Sequence, residues 1–583
     1  MSVNSYYRDE LNYLREMGKH FAKANPRLTK YLGEDASDPD VERLLEGFAF
    51  LVGRLRQRLD AEMPEVSQSL LKLIWPHYLR PVAPITTMQF RYAPGAGEPS
   101  INVPAGTSVQ TAALDGRAVQ FRTSFGLKVL PLEISSVELE NRKDSCKLSV
   151  KIKRLAGSNF QIFRDNDSLQ LFLNGHGDDN VARNLYMYFL RKLRKVEFSA
   201  KGGVAQAAGI EIEPVGFADN EATLPYPPGA FQGFRIMQEY FSCPEKFMYV
   251  RLKGLAALAD VQTESVTLVF HFGHRFSDVS RLNKDHIVLN ATPAINLFDT
   301  EGQALLVSHD RSEYPVRPVG GNDAESVHAV TSVTGWVQGS GEKVDYEEFE
   351  SFAHDGRATD DQKFYYRTQI RPSVIGDGVD HYISFVTRLN EVGLPSTETV
   401  SLRLLCSNGK LAGRFGLGSV VKSTSSTPAK LEFSNVTPIL TEVPPPLDDR
   451  VLWTLIANLS RNYASLIDVE ALRTVISAYD FRANIDKQGA QQRDLLLQSL
   501  QRFERRGVDI FRQGRPVRAF ELALTVSESL IGGEAEMFLF GSVLDQFLKS
   551  YSSINSLHRF SITGLDSNAA HHWTPKWGGA ASL

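Results

Sequence analysis

Residues 38–84 read DPDVERLLEGFAFLVGRLRQRLDAEMPEVSQSLLKLIWPHYLRPVAP, and the spacing of their apolar positions decides the N-terminal architecture. Val41, Leu44, Leu45, Phe48, Leu51, Val52, Leu55 and Leu59 recur at i, i+3, i+4 and i+7, so they fall on one stripe of a helix. Asp38 suits an N-cap and Pro39 the first helical position, where a missing N–H costs nothing. Asp40 and Glu42 sit in the first turn, where the helix dipole favours negative charge, and Arg54, Arg56 and Arg58 crowd the later turns. Pro64 is expected to break the helix after Met63, leaving a shorter helix over 65–75 and an extended run over 78–84. The face opposite the stripe is charged, so the stripe needs a second surface, either the chain's own core or a partner. Gly47, Ala49 and Gly53 on the adjoining face would admit another helix at close range.

Outward from this block, a preceding helix is expected over 4–24, with Tyr7, Leu11, Leu14 and Phe21 on one face and Asn25-Pro26 ending it. From 85 to about 430 the period shortens to two. Runs such as 86–92, 148–152 and 266–272 alternate between clusters of Gly, Pro, Asn and Asp, which predicts strands. SAKGGVAQAAG at 199–209 marks a break within this region, and a second lies near 318–322. Pro444-Pro445-Pro446 is a stiff linker. Helical periodicity then returns on Leu452, Leu455, Ile456 and Leu459 and on Val469, Leu472, Val475 and Ile476. A strand over 518–526, a helix carrying Met537, Phe540, Val543, Leu544, Phe547 and Tyr551, and a last strand over 556–563 complete the chain. The expected fold class is α+β and multidomain: a helical unit at 1–84, β-rich domains at 85–205 and 206–440, and an α+β domain at 441–583.

With 583 residues the chain exceeds what one core can serve. Its 42% hydrophobic and 23% charged content is that of a globular protein, and a net charge of −4 leaves no footprint for nucleic acid or an anionic membrane. Cys146, Cys243 and Cys406 are spread along the chain, making neither a disulfide framework nor a zinc pattern, as suits a reducing compartment. The first residues lack the apolar core of a signal peptide, and no apolar window is long enough to span a membrane. A cytoplasmic location is expected, with any membrane contact made through other proteins.

Motifs for chemistry are absent. There is no phosphate-binding loop, dinucleotide fingerprint, nucleophile elbow or H-E-x-x-H. Gly413, Gly416 and Gly418 form GRFGLG, which lacks the phosphate-binding lysine and suits a loop. His271 and His274 come nearest to metal-ligand spacing, but no carboxylate stands at a defined offset, and hydrogen-bonded edge histidines are expected. His176 and Asp178-Asp179 lie in the turn-rich NGHGDDN. His571-His572-Trp573, with Pro575 and Trp577, makes an aromatic tail that suits docking either on a neighbour or on its own domain. No catalytic residue, cofactor or metal is therefore assigned, and the carboxylates are scattered. A second reading is a β-rich carbohydrate-binding protein using Tyr226, Phe231 and Phe234; a hydrolase with an unrecognised site is a third.

The block at 38–84 resembles the N-terminal signature of the TssF (VasA/ImpG) family, baseplate subunits of bacterial type VI secretion systems. Further phrases follow in the family's order. Residues 231–252 are similar to its E-Y-F and P-E-K-F core, here Glu239-Tyr240-Phe241 and Pro244-Glu245-Lys246-Phe247. Residues 288–318 resemble N-x-x-P-x-I-N-L-F and E-Y-P-V, at Asn290, Pro293, Ile295-Asn296-Leu297-Phe298 and Glu313-Tyr314-Pro315-Val316. Residues 451–480 resemble L-W-x-L-I-x-x-L-S-x-N-Y, residues 537–562 G-S-V-L-x-x-F-x-x-Y-x-S-I-N-S, and HHWTPKWGG a loose W-x-P-x-x-G. Cys406-Ser407-Asn408-Gly409 departs from the usual C-T-N-R phrase, and 500–515 matches poorly.

The resemblance implies a non-enzymatic scaffold. Two TssF copies would join one TssG in a wedge that engages TssK and TssE, and wedges would surround the VgrG spike and seed the Hcp tube and contractile sheath. On this reading Val41, Leu44, Leu45, Phe48, Leu51, Val52 and Leu55 are interface residues, packing against helices of TssG and of a second TssF copy.

Overall fold

The computed structural model of the chain describes residues 7–8, 10–15, 17, 39–93, 99–155, 157–200, 206–226, 232–276, 282–308, 310–320, 325–349, 364–373, 378–386, 397–448, 451–453, 456, 468–512, 514–551 and 556–579. Its most extended element is a single helix, Pro39–Ile74, of 36 residues, with Asp40 and Glu42 in the first turn. The break expected at Pro64 does not occur. A proline removes one N–H and crowds one carbonyl, and the Leu-, Glu-, Gln- and Lys-rich sequence on both sides carries the helix through it. The extended run expected from Tyr78 also gives way, at its start, to a 3-10 turn, Pro76–Leu79. Only after Arg80 does the chain extend, with Val82 pairing antiparallel to Val443.

The mainly-β middle is built from distant segments. Strand Ile85–Tyr92 pairs with Ala291–Ile295 on one side and Leu431–Asn435 on the other. It thereby becomes an inner strand of a six-stranded sheet that also holds Gln120–Thr123, Ser108–Thr111 and Val420–Ser423. A five-stranded sheet runs Gln206–Ala208, Leu193–Ala200, Ser265–Phe272, Cys146–Arg154, Leu132–Asn141. A four-stranded sheet runs Glu211–Val215, Tyr249–Lys253, Ser168–Leu173, Ile287–Leu289. The expected boundary at 205/206 falls inside a β-hairpin, since Gln206 lies opposite Phe198 and Ala208 opposite Val196.

Between the strands Ala291–Ile295 and Leu431–Asn435 a second body is inserted. Eight strands between 298 and 407 make one sheet, in which Glu398–Ser407 and Ser326–Val337 are the longest neighbours. It has its own core of Val307, Val333, Ile383, Val400, Leu402 and Leu404. The two ends of the insertion meet where Asn296 Nδ2 donates to Asn408 Oδ1 at 2.8 Å and Asn408 N donates to Asn296 Oδ1 at 2.6 Å.

The C-terminal part is α+β. Helices Val469–Tyr479 and Lys487–Ser499 precede a hairpin, Leu500–Arg512 with Arg515–Val526. Helix Glu534–Tyr551 then returns the chain to strand Leu557–Gly564, which pairs parallel to the hairpin's second strand. The expected helix around Leu452–Leu459 lies mostly outside the described residues. The tail packs back on its own domain: Trp573 stacks on Phe538 (centroids 5.9 Å apart, planes 10°) and meets Phe560, with Arg191 over its ring at 5.1 Å.

An aromatic cluster joins the three regions. Trp75 and Tyr78, at the end of the long helix, meet Phe234 of the middle region and Tyr479 and Phe481 of the C-terminal region. Phe234 stacks on Tyr479 at 4.8 Å, and Tyr78 Oη donates to the Ala478 carbonyl at 2.8 Å. Beside it, the first turn of helix Glu534–Tyr551 supplies two carboxylates to the middle region. Arg183 reaches Glu536 at 2.7 Å, Lys192 reaches Glu534 at 2.8 Å, and Tyr240 donates to Glu536.

Candidate interaction site on the long helix

The seven-residue stripe divides in two when it is placed on the helix. Leu44, Phe48 and Leu51 are 73%, 57% and 64% exposed. They follow one another at i, i+4 and i+7 and therefore share one narrow face. Val41, Leu45 and Val52 lie on the adjoining face and are half-buried. The side chain of Leu55 lies outside the described residues. Ala49 is fully buried and Gly53 is buried further round, on the side where Glu42 accepts from Arg15 Nε at 2.8 Å. That side is met from within the chain, by the helical residues 10–15, whose Leu11 is also buried. Gly47 belongs with the exposed half, since a Cβ added there would meet nothing within 4 Å.

The rear of the helix is rooted. Gln68 Nε2 donates to the Ile370 carbonyl at 2.9 Å and its Oε1 accepts from Ile370 N at 3.2 Å. Lys72 Nζ donates to Thr368 Oγ1 at 2.7 Å, and Arg367 to Ser69 Oγ at 3.3 Å. All three partners lie on strand Phe364–Pro372 of the inserted sheet. Leu71 and Trp75 enter the main core. The front therefore presents apolar side chains to solvent from a fixed base. Each such Leu or Phe, if covered, stabilises an assembly by roughly 1.5–3 kcal/mol.

The residues weighed for chemistry are dispersed. His271 sits on the central strand of its sheet rather than at an edge, with Nε2 2.8 Å from Glu197 Oε2, while His274 is exposed in the following turn. Among the described residues no three of His, Cys, Asp and Glu come together as a metal cage. Asp178 caps helix Asp179–Met187 by accepting from Asn180 N at 3.1 Å. Gly413 ends a 3-10 turn, Gly409–Arg414, and Gly418 takes φ +71°, both in a loop. Burial pushes the Cys146 thiol up to about 11 and the Cys406 thiol up to about 12, which is inert behaviour. Of the aromatics of the carbohydrate reading, Phe234 is buried and Phe231 lies outside the described residues. Tyr226 lies against His77, ring centroids 4.0 Å apart and planes tilted by 40°, and borders a cavity of about 300 Å³ shared with Arg122, Asp219 and Thr223.

A group that sequence reasoning left without a role is the buried triad of Arg235, Glu239 and Lys246, each with a fully buried side chain. Glu239 accepts from Thr223 N at 2.7 Å, Leu224 N at 3.0 Å and Arg235 Nη1 at 3.4 Å, and also from Lys246 Nζ. Its oxygens are thus occupied by fixed donors, and its side chain is fully buried. The i, i+4 spacing of Arg235 and Glu239 was the signal available in the sequence.

A rooted helix with a bare apolar face, sheets interlocked across the chain and buried ion pairs turned to internal bracing define a multidomain assembly subunit. The family model described as "Type VI secretion system, TssF" matches residues 2–580, and the chain belongs to the TssF family of baseplate subunits. It is 28% identical to the type VI secretion system component TssF1 of Pseudomonas aeruginosa over 99% of each chain. Among solved structures it matches a chain of the TssK-TssF-TssG baseplate subcomplex with a TM-score of 0.76 at 25% identity, covering 93% of this chain and 99% of that one. A chain of the baseplate complex from the type VI secretion system shares the fold, with a TM-score of 0.61 at 23% identity over the full length of both.

Proposed function

We propose that this chain is a non-enzymatic wedge subunit whose long helix is its principal joint. Two copies and one TssG pack helices together, and the exposed face of Leu44, Phe48 and Leu51, extended by Leu55, is the surface they cover. Val41, Leu45 and Val52 form the shoulder between that face and the one held by the chain's own N-terminal helix. TssK and TssE dock on the wedge, and the wedges ring the VgrG spike in the cytoplasm, where the Hcp tube and sheath begin to grow. The observation that carries this reading is three large apolar side chains left in water on one helical face whose base is hydrogen-bonded in place.

The test is co-expression of Leu44→Asp/Leu51→Asp with the TssG and TssK of the same organism. Both side chains are exposed, so the variant keeps the native melt. Co-purification with TssG is expected to be lost; a wedge that still assembles would remove the helix face from the joint.

A further inference from the structure

The C-terminal sheet carries an arm. Strands Leu500–Arg512 and Arg515–Val526 pair along their whole length, from Leu500 opposite Val526 to Arg512 opposite Arg515. The next strand, Leu557–Gly564, pairs only from Ala519 onward. Beyond that register the sheet narrows to a two-stranded ribbon ending at Gly514, where φ is +76°. The strand Leu500–Arg512 is outermost in the sheet order, so its outward N–H and C=O groups have no strand partner among the described residues.

Such an edge is a template for another strand, and proteins ordinarily blunt one with prolines, bulges or short length. Here Pro516 blunts the far part of the second strand's edge. The outer strand keeps 13 residues without a proline, and its one register shift lies at the base, between Leu500 and Arg502. A two-stranded ribbon in water is marginal by itself.

Its charge selects what can pair. Residues 500–518 hold six arginines (502, 505, 506, 512, 515, 518) against Glu504 and Asp509, a local net of +4 in a chain whose total is −4. Arg502 pairs with Glu504, and Arg505 lies over the Phe520 ring at 3.6 Å. Arg506, Arg515 and Arg518 are exposed and form no ion pair among the described residues. A second copy of the same ribbon would bring two local net charges of +4 together. Phe511, 74% exposed near the tip, adds an apolar anchor.

We propose that the outer edge of Leu500–Arg512 receives an extended acidic segment of a partner protein as an added β-strand, with Arg506, Arg515 and Arg518 supplying the charge and Phe511 the apolar grip. Backbone bonds hold the guest, and the arginines decide which guest.

The test uses the full chain and fluorescein-labelled peptides read by anisotropy: alternating Val and Glu, alternating Val and Lys, and a Glu-only peptide of the same charge. The Val/Glu peptide is expected to bind, the Val/Lys peptide not at all, and the Glu-only peptide, a poor strand former, at least about tenfold more weakly. Arg506→Glu/Arg515→Glu/Arg518→Glu, all on exposed side chains, should weaken Val/Glu binding at least about tenfold, while the corresponding Lys triple variant keeps it. Proline is also placed in turn at Val508 and at Asp509. Successive N–H groups point to opposite sides, so one variant removes only an outward donor; that one should keep the native melt and lose the peptide. Three results would each overturn the proposal: equal binding of the Val/Glu and Glu-only peptides, indifference to both prolines, or binding to phosphatidylglycerol vesicles without peptide binding. Leu44→Asp/Leu51→Asp should bind the Val/Glu peptide as the native chain does, which separates this edge from the helix joint.

Discussion

Asn296 and Asn408 exchange two hydrogen bonds across the base of the inserted sheet, and both reach the same strand residue, Gln120. Asn296 Nδ2 donates to the Gln120 carbonyl at 2.5 Å, and Gln120 N donates to Asn408 Oδ1 at 3.3 Å. Both asparagines are buried. The pair fixes where the insertion leaves and re-enters the six-stranded sheet, although 112 residues separate the two in sequence. Asn296→Ala or Asn408→Ala should each cost about 1–3 kcal/mol, because each leaves buried donors or acceptors unmet. The double variant should cost less than the sum of the two. Urea melts of the three variants measure the coupling.

Glu239 balances two buried cations, and Glu239→Gln would take from Lys246 its carboxylate and leave Arg235 with Asp219 at 3.5 Å. The expected loss is about 3–5 kcal/mol, the size seen when one member of a buried ion pair is removed. Lys246→Met should cost less, since Glu239 keeps Arg235 and two backbone N–H donors. Chemical denaturation gives the order of the two directly.

Ala49 and Gly47 lie two positions apart on the long helix and should answer substitution in opposite ways. Ala49→Leu forces a large side chain into a fully buried position and should lower the melting temperature. At Gly47 an added Cβ meets nothing within 4 Å, and Gly47→Leu replaces the weaker helix former. It should hold or raise the melting temperature while hindering wedge assembly, scored by co-purification with TssG.

Acid should loosen the seat of the long helix. Burial, with Arg80 nearby, lowers His77 to about 3, and burial, with Lys72 nearby, lowers His381 to about 4. Both folded values lie below the ordinary 6.5, so their share of stability is whole above pH 6.5 and is lost as pH falls toward about 4 and then 3. The slope is up to ~1.4 kcal/mol per pH unit for each group. His381→Leu should flatten the stability profile between pH 6.5 and 4, read from urea midpoints across that range.

The periodic elements were legible from sequence, and the partnerships between them were not. Alternation placed strands at 86–92, 148–152 and 266–272, yet nothing local announces that Met88 lies between Thr292 and Asn435. Pro64 does not end the helix, because a proline is a local penalty and the helix on both sides outweighs it. Of the hairpin arm the sequence shows half: alternation predicts a strand from 518, whereas the strand begins at Arg515 and has a partner strand whose arginines obscure the alternation. Family phrases turn out to be packing sites. In GSVL, a Cβ on Gly541 would lie 2.4 Å from the Trp573 ring, so the glycine and the closing tryptophan belong to one contact. Leu44, Phe48 and Leu51 of the apolar stripe share one exposed face of the helix. The stripe's division between a half-buried shoulder and a bare face depends on where residues 10–15 pack, which periodicity does not encode.

Gln68 grips the backbone of Ile370 rather than a side chain, and with Ser69 and Lys72 it fastens the base of the long helix to the inserted sheet. From Gln68 to Leu44 is about 36 Å at 1.5 Å per residue. A rocking of the inserted sheet by about 5° therefore sweeps Leu44 through about 3 Å, more than half the pitch of a helical turn. The seat and the proposed joint would be the two ends of a lever, at which small rotations of the strand Phe364–Pro372 would become displacements large enough to re-register one helix against another.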